Sequence, residues 1–217
     1  MEEKGFIFDL DGVIVDTAKF HYLAWKELAN QLGVNFTEEH NELLKGVSRG
    51  KSLEILLSLG DVTLTDFEKE KYMKEKNIRY LAYVAKMDES DILSGIKELL
   101  LFLKQNNIPF SLGSASKNAR VILEGVNLLE IFTAIVDGND VSKAKPNPEV
   151  FLIAAEKLKL KPENCIVIED AAAGIEAAKR AKMVSVGIGE EEMLGAADFL
   201  LSSTSKLTIE YAKGLLN

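Results

Sequence analysis

Asp9 and Asp11 flank Leu10 where the apolar run Gly5-Phe6-Ile7-Phe8 stops. Residues two apart on extended backbone project to one side, so both carboxyl groups face a common space. A calcium loop starting at Asp9 is excluded by spacing, because its sixth position is Ile14 rather than Gly and its twelfth is Phe20 rather than Glu. A second acidic pair, Glu169-Asp170, follows the apolar run from Cys165 to Ile168 and opens the small-residue segment Ala171-Ala172-Ala173-Gly174-Ile175. Carboxylates from two strand ends form the oxygen-rich, partly hydrated site that magnesium prefers, so Asp9, Asp11, Glu169 and Asp170 are the expected Mg2+ set. Phosphate needs donors. After Leu112-Gly113 come Ser114, Ala115, Ser116, Lys117 and Asn118, which supply hydroxyls, an amide, an ammonium and a predicted helix start. Lys145 stands just before Pro146-Asn147-Pro148, a rigid segment that begins another helix.

These residues must be positioned by the elements they terminate. Short, nearly continuous apolar runs at 5–9, 109–113, 134–137, 165–169 and 184–187 read as strands buried on both faces. Helix-period segments alternate with them: Ile96, Leu99, Leu100 and Leu103 mark one face, Val150, Ile153, Ala154 and Leu158 another, and Ile175, Ala178 and Ala181 a third. The pattern predicts an α/β fold, a doubly wound and mainly parallel sheet of Rossmann-like type. In such sheets the ligand crevice lies outside the carboxyl ends of the strands, where the acidic pairs and donor loops fall. The alternation breaks once, between the first strand and the run near Pro109. Ala18 to Leu32 reads as a helix closed by Gly33, Thr37 can cap a second, and Thr65-Asp66-Phe67-Glu68 is a capping box opening a long one to about Ala85. The expected organisation is an α/β core of residues 1–16 and 87–217 with an α-helical cap, 17–86, inserted after the first strand.

Composition removes several function classes. With 47% hydrophobic residues, 15 Gly and only 4 Pro, the chain is neither collagen-like nor disordered. The net charge of −8 argues against nucleic acid as a partner. A single cysteine cannot form an intrachain disulfide, which fits a reducing, cytoplasmic setting. No basic leader followed by an apolar stretch is visible, and no apolar run approaches the roughly 20 residues that span a bilayer. The acidity is uneven: residues 17–86 carry 11 Lys and Arg against 10 Asp and Glu, so the insertion is where an anionic substrate would be received.

Phe8-Asp9-Leu10-Asp11-Gly12-Val13, the Ser114/Lys117 loop, Lys145-Pro146 and Glu169-Asp170, in that order, resemble the four signature motifs of the haloacid dehalogenase-like superfamily. The resemblance covers the whole chain. It implies that Asp9 is a nucleophile forming an aspartyl-phosphate and that Asp11 is the general acid and base. The second aspartate marks phosphoryl transfer members rather than dehalogenases. A cis bond before Pro146 is implied in the same way.

The cap narrows the substrate. Residues 16–26, which include His21 and Trp25 on one helical face, the segment Lys45-Gly46-Val47-Ser48-Arg49-Gly50-Lys51-Ser52, and Lys76-Asn77 resemble the sugar-phosphate mutases of that superfamily. This implies that Arg49 grips the phosphate not being transferred. Lys45, Gly46, Val47, Ser52 and Lys76 would contact the sugar phosphate, Ser48 belongs to the same cradle, and His21 would couple cap closure to Asp11. The pattern is departed from in two places: Ala171-Ala172 stand where polar residues are common, and Val15 where a threonine is familiar. The expected activity is interconversion of hexose 1- and 6-phosphates through a 1,6-bisphosphate, by an enzyme that needs only one chain. A phosphatase with the same core, passing the phosphoryl group to water, is the alternative. A sugar-phosphate sensor without turnover would be expected to have lost a carboxylate, and Asp9, Asp11, Glu169 and Asp170 are all present.

Overall fold

The computed structural model describes residues 3–44 and 47–217. Strand β1 (Gly5–Phe8) leads into four helices, α1 (Ala18–Leu32), α2 (Glu38–Glu42), α3 (Arg49–Leu59) and α4 (Asp66–Val84). Helix α5 (Ile96–Gln105) then starts the alternation: β2 (Phe110–Gly113), α6 (Ala119–Gly125), β3 (Ala134–Val136), α7 (Glu149–Leu158), β4 (Cys165–Glu169), α8 (Ala172–Arg180) and β5 (Val184–Ile188). The chain closes with α9 (Glu191–Leu194), β6 (Phe199–Leu201) and α10 (Ile209–Leu216). No described helix is long and apolar enough to cross a membrane.

Among the described residues the strands form one sheet in the order β3-β2-β1-β4-β5-β6, every neighbour pair parallel. That is the doubly wound α/β architecture expected from the alternation, and β1 sits beside the reversal of strand order, where the ligand crevice opens. The period of two is visible in β1 itself. Phe6 and Phe8 pack with Phe110, Leu112, Ile166 and Ile168 in one layer, while Ile7 joins Val136, Cys165 and Val167 in the other. Strand β6 was not among the expected strands. It is three residues long, and Phe199 and Leu200 are exposed, so its sequence lacks the buried apolar run that marks the others.

The helical region after β1 has its own apolar cluster, built from Trp25 and Leu28 of α1, Phe36, and Leu53, Leu56 and Leu57 of α3, with Tyr72 and Met73 of α4 packed against it. The two chain crossings into this region run side by side: Val15 bridges Ile92 antiparallel, and Leu93 N donates to Ile14 O at 2.9 Å. The caps explain the helix starts. Thr65 and Glu68 form the expected capping box, and Thr37 opens α2 with His40 as its reciprocal partner. Ser48 caps α3 by accepting from Lys51 N, so Arg49 and Ser52 of the basic segment occupy the first turn of a helix.

Candidate active site

The end of β1 is pinned to its neighbour by Asp9 N, which donates to Ile168 O at 2.9 Å. The Asp9 carboxyl is thereby delivered to the mouth of the sheet beside Glu169 and Asp170, the last residue of β4 and its successor. One carboxylate oxygen from each of the three lies within 4.8 Å of the others. Lys145 reaches into this group: its Nζ donates to Asp9 Oδ1 at 2.5 Å and to Glu169 Oε2 at 2.8 Å, and it is 3% exposed. Burial alone would lower the pKa of Lys145, but the Asp9 and Glu169 carboxylates outweigh it and hold the ammonium above the usual lysine range. Burial, followed by Asp9, pushes Glu169 upward, and Lys145 opposes that shift. The Lys145-Pro146 bond is cis.

Two glycines make the close approach of these carboxylates sterically possible. Gly12 has φ +75°, and a Cβ there would fall 2.0 Å from Asp170 Oδ2. A Cβ on Gly174 would fall 2.0 Å from Glu169 Cδ, so only a glycine lets the first turn of α8 pass this side chain. Ala171 N in turn donates to Glu169 Oε1 at 3.1 Å.

Asp11 was expected in the metal set, yet its carboxyl lies outside the trio and accepts from Thr17 Oγ1. Burial and the neighbouring Asp9 raise its pKa to about 7, against the lowering effect of Thr17, Lys145 and Lys76. Thr17, fully buried just before α1, is a partner that sequence reasoning passed over although it lies within the segment 16–26. Tyr80 was also passed over. Its ring centroid lies 4.1 Å from that of His21, but in sequence it is one of four aromatic residues on α4.

The donor loop after β2 is wound on itself. Ser114 N donates to Val136 O, Ser116 N to Ser114 Oγ, and Asn118 N to Ser116 Oγ. Gly138 N donates to Ser116 O and Asn139 Nδ2 to Lys117 O, which fixes the loop against the segment after β3. Lys117 is exposed, whereas Ser114 and Asn118 are buried.

From the cap side, His21, Trp25, Val47, Ser48, Arg49, Ser52 and Lys76 face the same space. They enclose, together with Asp9, Asp11, Asp170, the loop from Ser114 to Asn118 and Lys145, a cavity of roughly 620 Å³. Lys45 and Gly46 lie outside the described residues. Lys76 Nζ donates to His21 Nδ1 at 2.8 Å and stands 4.7 Å from the Trp25 ring centroid and 4.8 Å from that of Tyr80. Burial, then Arg49, lowers its pKa to about 7. Burial and Lys76 hold the His21 pKa well below its ordinary value, so its neutral ring accepts the hydrogen bond from the lysine.

The carboxylate trio is a hard oxygen donor set on two strand ends, and it fits a divalent cation such as magnesium. The crevice thus joins a carboxylate cluster at the strand ends to a loop of hydroxyl and amide donors, and residues 3–182 match the haloacid dehalogenase-like hydrolases. The chain belongs to that family. It is 45% identical over 209 residues to the β-phosphoglucomutase of Bacillus subtilis, covering 95% of this chain and 92% of that one. The crystal structure of β-phosphoglucomutase from Clostridium difficile superposes with a TM-score of 0.95 at 43% identity, covering 100% of this chain and 98% of that one. A phosphorylated carbohydrates phosphatase of Thermotoga maritima is 30% identical over 182 residues, covering 82% of this chain and 81% of that one.

Proposed function

We propose that the chain is a β-phosphoglucomutase, an isomerase that interconverts β-D-glucose 1-phosphate and glucose 6-phosphate through the 1,6-bisphosphate. One observation carries the reading: a single cavity joins the Asp9 centre to the cations of the cap. A mutase must accept both ends of its substrate in turn, so it needs one site for the phosphate being transferred and another for the one that stays.

Asp9 Oδ attacks phosphorus, the bond to the sugar oxygen breaks, and an aspartyl-phosphate stands between two easier half-reactions. The phosphoryl group passes from Asp9 to the 6-hydroxyl of β-D-glucose 1-phosphate. The bisphosphate reorients and returns its other phosphoryl group to Asp9. Asp11 takes the proton from the attacking hydroxyl and gives one to the leaving oxygen. Mg2+ held by Asp9, Glu169 and Asp170 would screen the anionic phosphate from the approaching carboxylate. Lys145 and the Ser114-Ala115 end of the donor loop hold the transferring group. Arg49 holds the distal phosphate, and Asn118, brought beside it by the acceptor they share on Asn77, reaches the same group. Ser116 and Lys117 complete the phosphate donors of the core. Val47, Ser48, Ser52, Trp25 and Lys76 border the sugar, with Lys45 and Gly46 completing the cradle.

Residues 17–86 act as a cap hinged at the paired crossings near Val15 and Ile92, with His21 coupling its closure to Asp11. Closure excludes water and protects the aspartyl-phosphate until a sugar hydroxyl arrives. One chain supplies every group named, which supports a monomer, and the single buried cysteine fits a cytoplasmic enzyme.

Resemblance to the Thermotoga phosphatase supports a second reading, in which water accepts the phosphoryl group. One incubation separates the two: the protein with magnesium, β-D-glucose 1-phosphate and a trace of the 1,6-bisphosphate, with glucose 6-phosphate and free phosphate measured together. Glucose 6-phosphate should dominate. Free phosphate as the main product would replace the mutase with the phosphatase.

A further inference from the structure

Asn77 has no part in the chemistry described so far, yet it forms a polar link across the crevice. Its Oδ1 accepts from Arg49 Nη2 at 2.7 Å and from Asn118 Nδ2 at 2.8 Å. Arg49 belongs to α3 and Asn77 to α4, both in the cap, whereas Asn118 ends the donor loop of the core. An amide oxygen offers two lone pairs, and here the two donors assigned to the distal phosphate use both.

We propose that Asn77 is a positioning residue that sets the separation and orientation of Arg49 and Asn118 at which the distal phosphate of a sugar phosphate is gripped. This rests on the reading of that site under the proposed function. The chemistry of the side chain supports it. Among the described residues no carboxylate pairs with Arg49, so the guanidinium keeps its full charge for an anion. A carboxamide can hold one of its nitrogens without neutralising it, leaving the remaining N–H groups of the fork for phosphate oxygens. A carboxylate of the same shape would quench that charge and repel the incoming phosphate.

The test compares Asn77→Asp, Asn77→Ala and Arg49→Ala by steady-state kinetics with β-D-glucose 1-phosphate. Acetyl phosphate, which carries no second phosphate, serves as the reference phosphoryl donor, and thermal unfolding is measured alongside. Asn77→Asp should raise KM for the sugar phosphate about tenfold or more with a much smaller change in kcat, because it places like charge beside the bound anion. Asn77→Ala should raise KM less, since it removes the link without adding charge. A KM for Asn77→Asp within about twofold of the parent, while Arg49→Ala raises it, overturns the role of Asn77 and leaves the phosphate site standing. An unchanged KM in Arg49→Ala overturns both. An equal loss on acetyl phosphate, or a raised KM accompanied by a lowered melting temperature, shows general damage and also overturns the proposal.

Discussion

Lys76 is 2% exposed, faces two aromatic rings and a neutral histidine, and has no carboxylate ion pair among the described residues. A buried ammonium of this kind should cost stability, and Lys76→Met, which keeps the length of the stem and removes the charge, should recover it. Its pKa falls from the ordinary 10.5 to about 7. A shift of that size corresponds to about 5 kcal/mol of differential interaction between charged and neutral forms. The two ring faces return about 1 kcal/mol each, and the hydrogen bond to His21 about 1 kcal/mol more. What remains is about 2 kcal/mol, which for a chain of this size raises the melting temperature by about 4 to 8 °C.

The sign with pH follows from proton binding. A lysine whose folded pKa lies below its unfolded value binds fewer protons when folded. The penalty is therefore full below about pH 7 and disappears as pH rises toward 10.5. Urea unfolding of both proteins at several pH values is the assay, read as the difference between them so that other titrations cancel. The methionine variant should be more stable at pH 7, and its advantage should shrink toward pH 10 while sugar phosphate use falls. A variant no more stable than the parent at pH 7, or an advantage that does not change with pH, would refute the reasoning.

Two further outcomes test the core. Asp9→Asn should give a folded protein that neither accepts a phosphoryl group nor turns over, as measured by retention of labelled phosphate and by glucose 6-phosphate formation; substantial residual turnover would remove Asp9 from the nucleophilic role. Gly174→Ala should displace Glu169, because the new Cβ would fall 2.0 Å from its Cδ. Melting temperature should then fall by several degrees, for a cost of about 1 to 3 kcal/mol, and magnesium dependence should weaken; an unaltered melting temperature would show that α8 shifts freely.

Much of the architecture is legible in local pattern. Continuous apolar runs ending in acidic or small residues mark the buried parallel strands, and caps such as Thr65 with Glu68 mark helix starts, because both depend on neighbours a few residues away. Strand β6 escapes this reading because it is short and exposed, and α3 because it starts inside a basic segment interrupted by Gly46 and Gly50. Asp9, Glu169, Asp170 and the donor loop are recognisable because a doubly wound sheet places every strand end on one rim.

The sequence by itself thus determined the type of sheet, the insertion after β1 and the carboxylates and donors along the rim. Tertiary structure alone decided which of them meet. Lys145 bridges Asp9 and Glu169, Asp11 turns to Thr17, Lys76 donates to His21, and Asn77 joins Arg49 to Asn118. Several of these partners are far apart along the chain and come from different elements. Their distances follow from how the helices pack on one another and on the sheet, and no local periodicity encodes that.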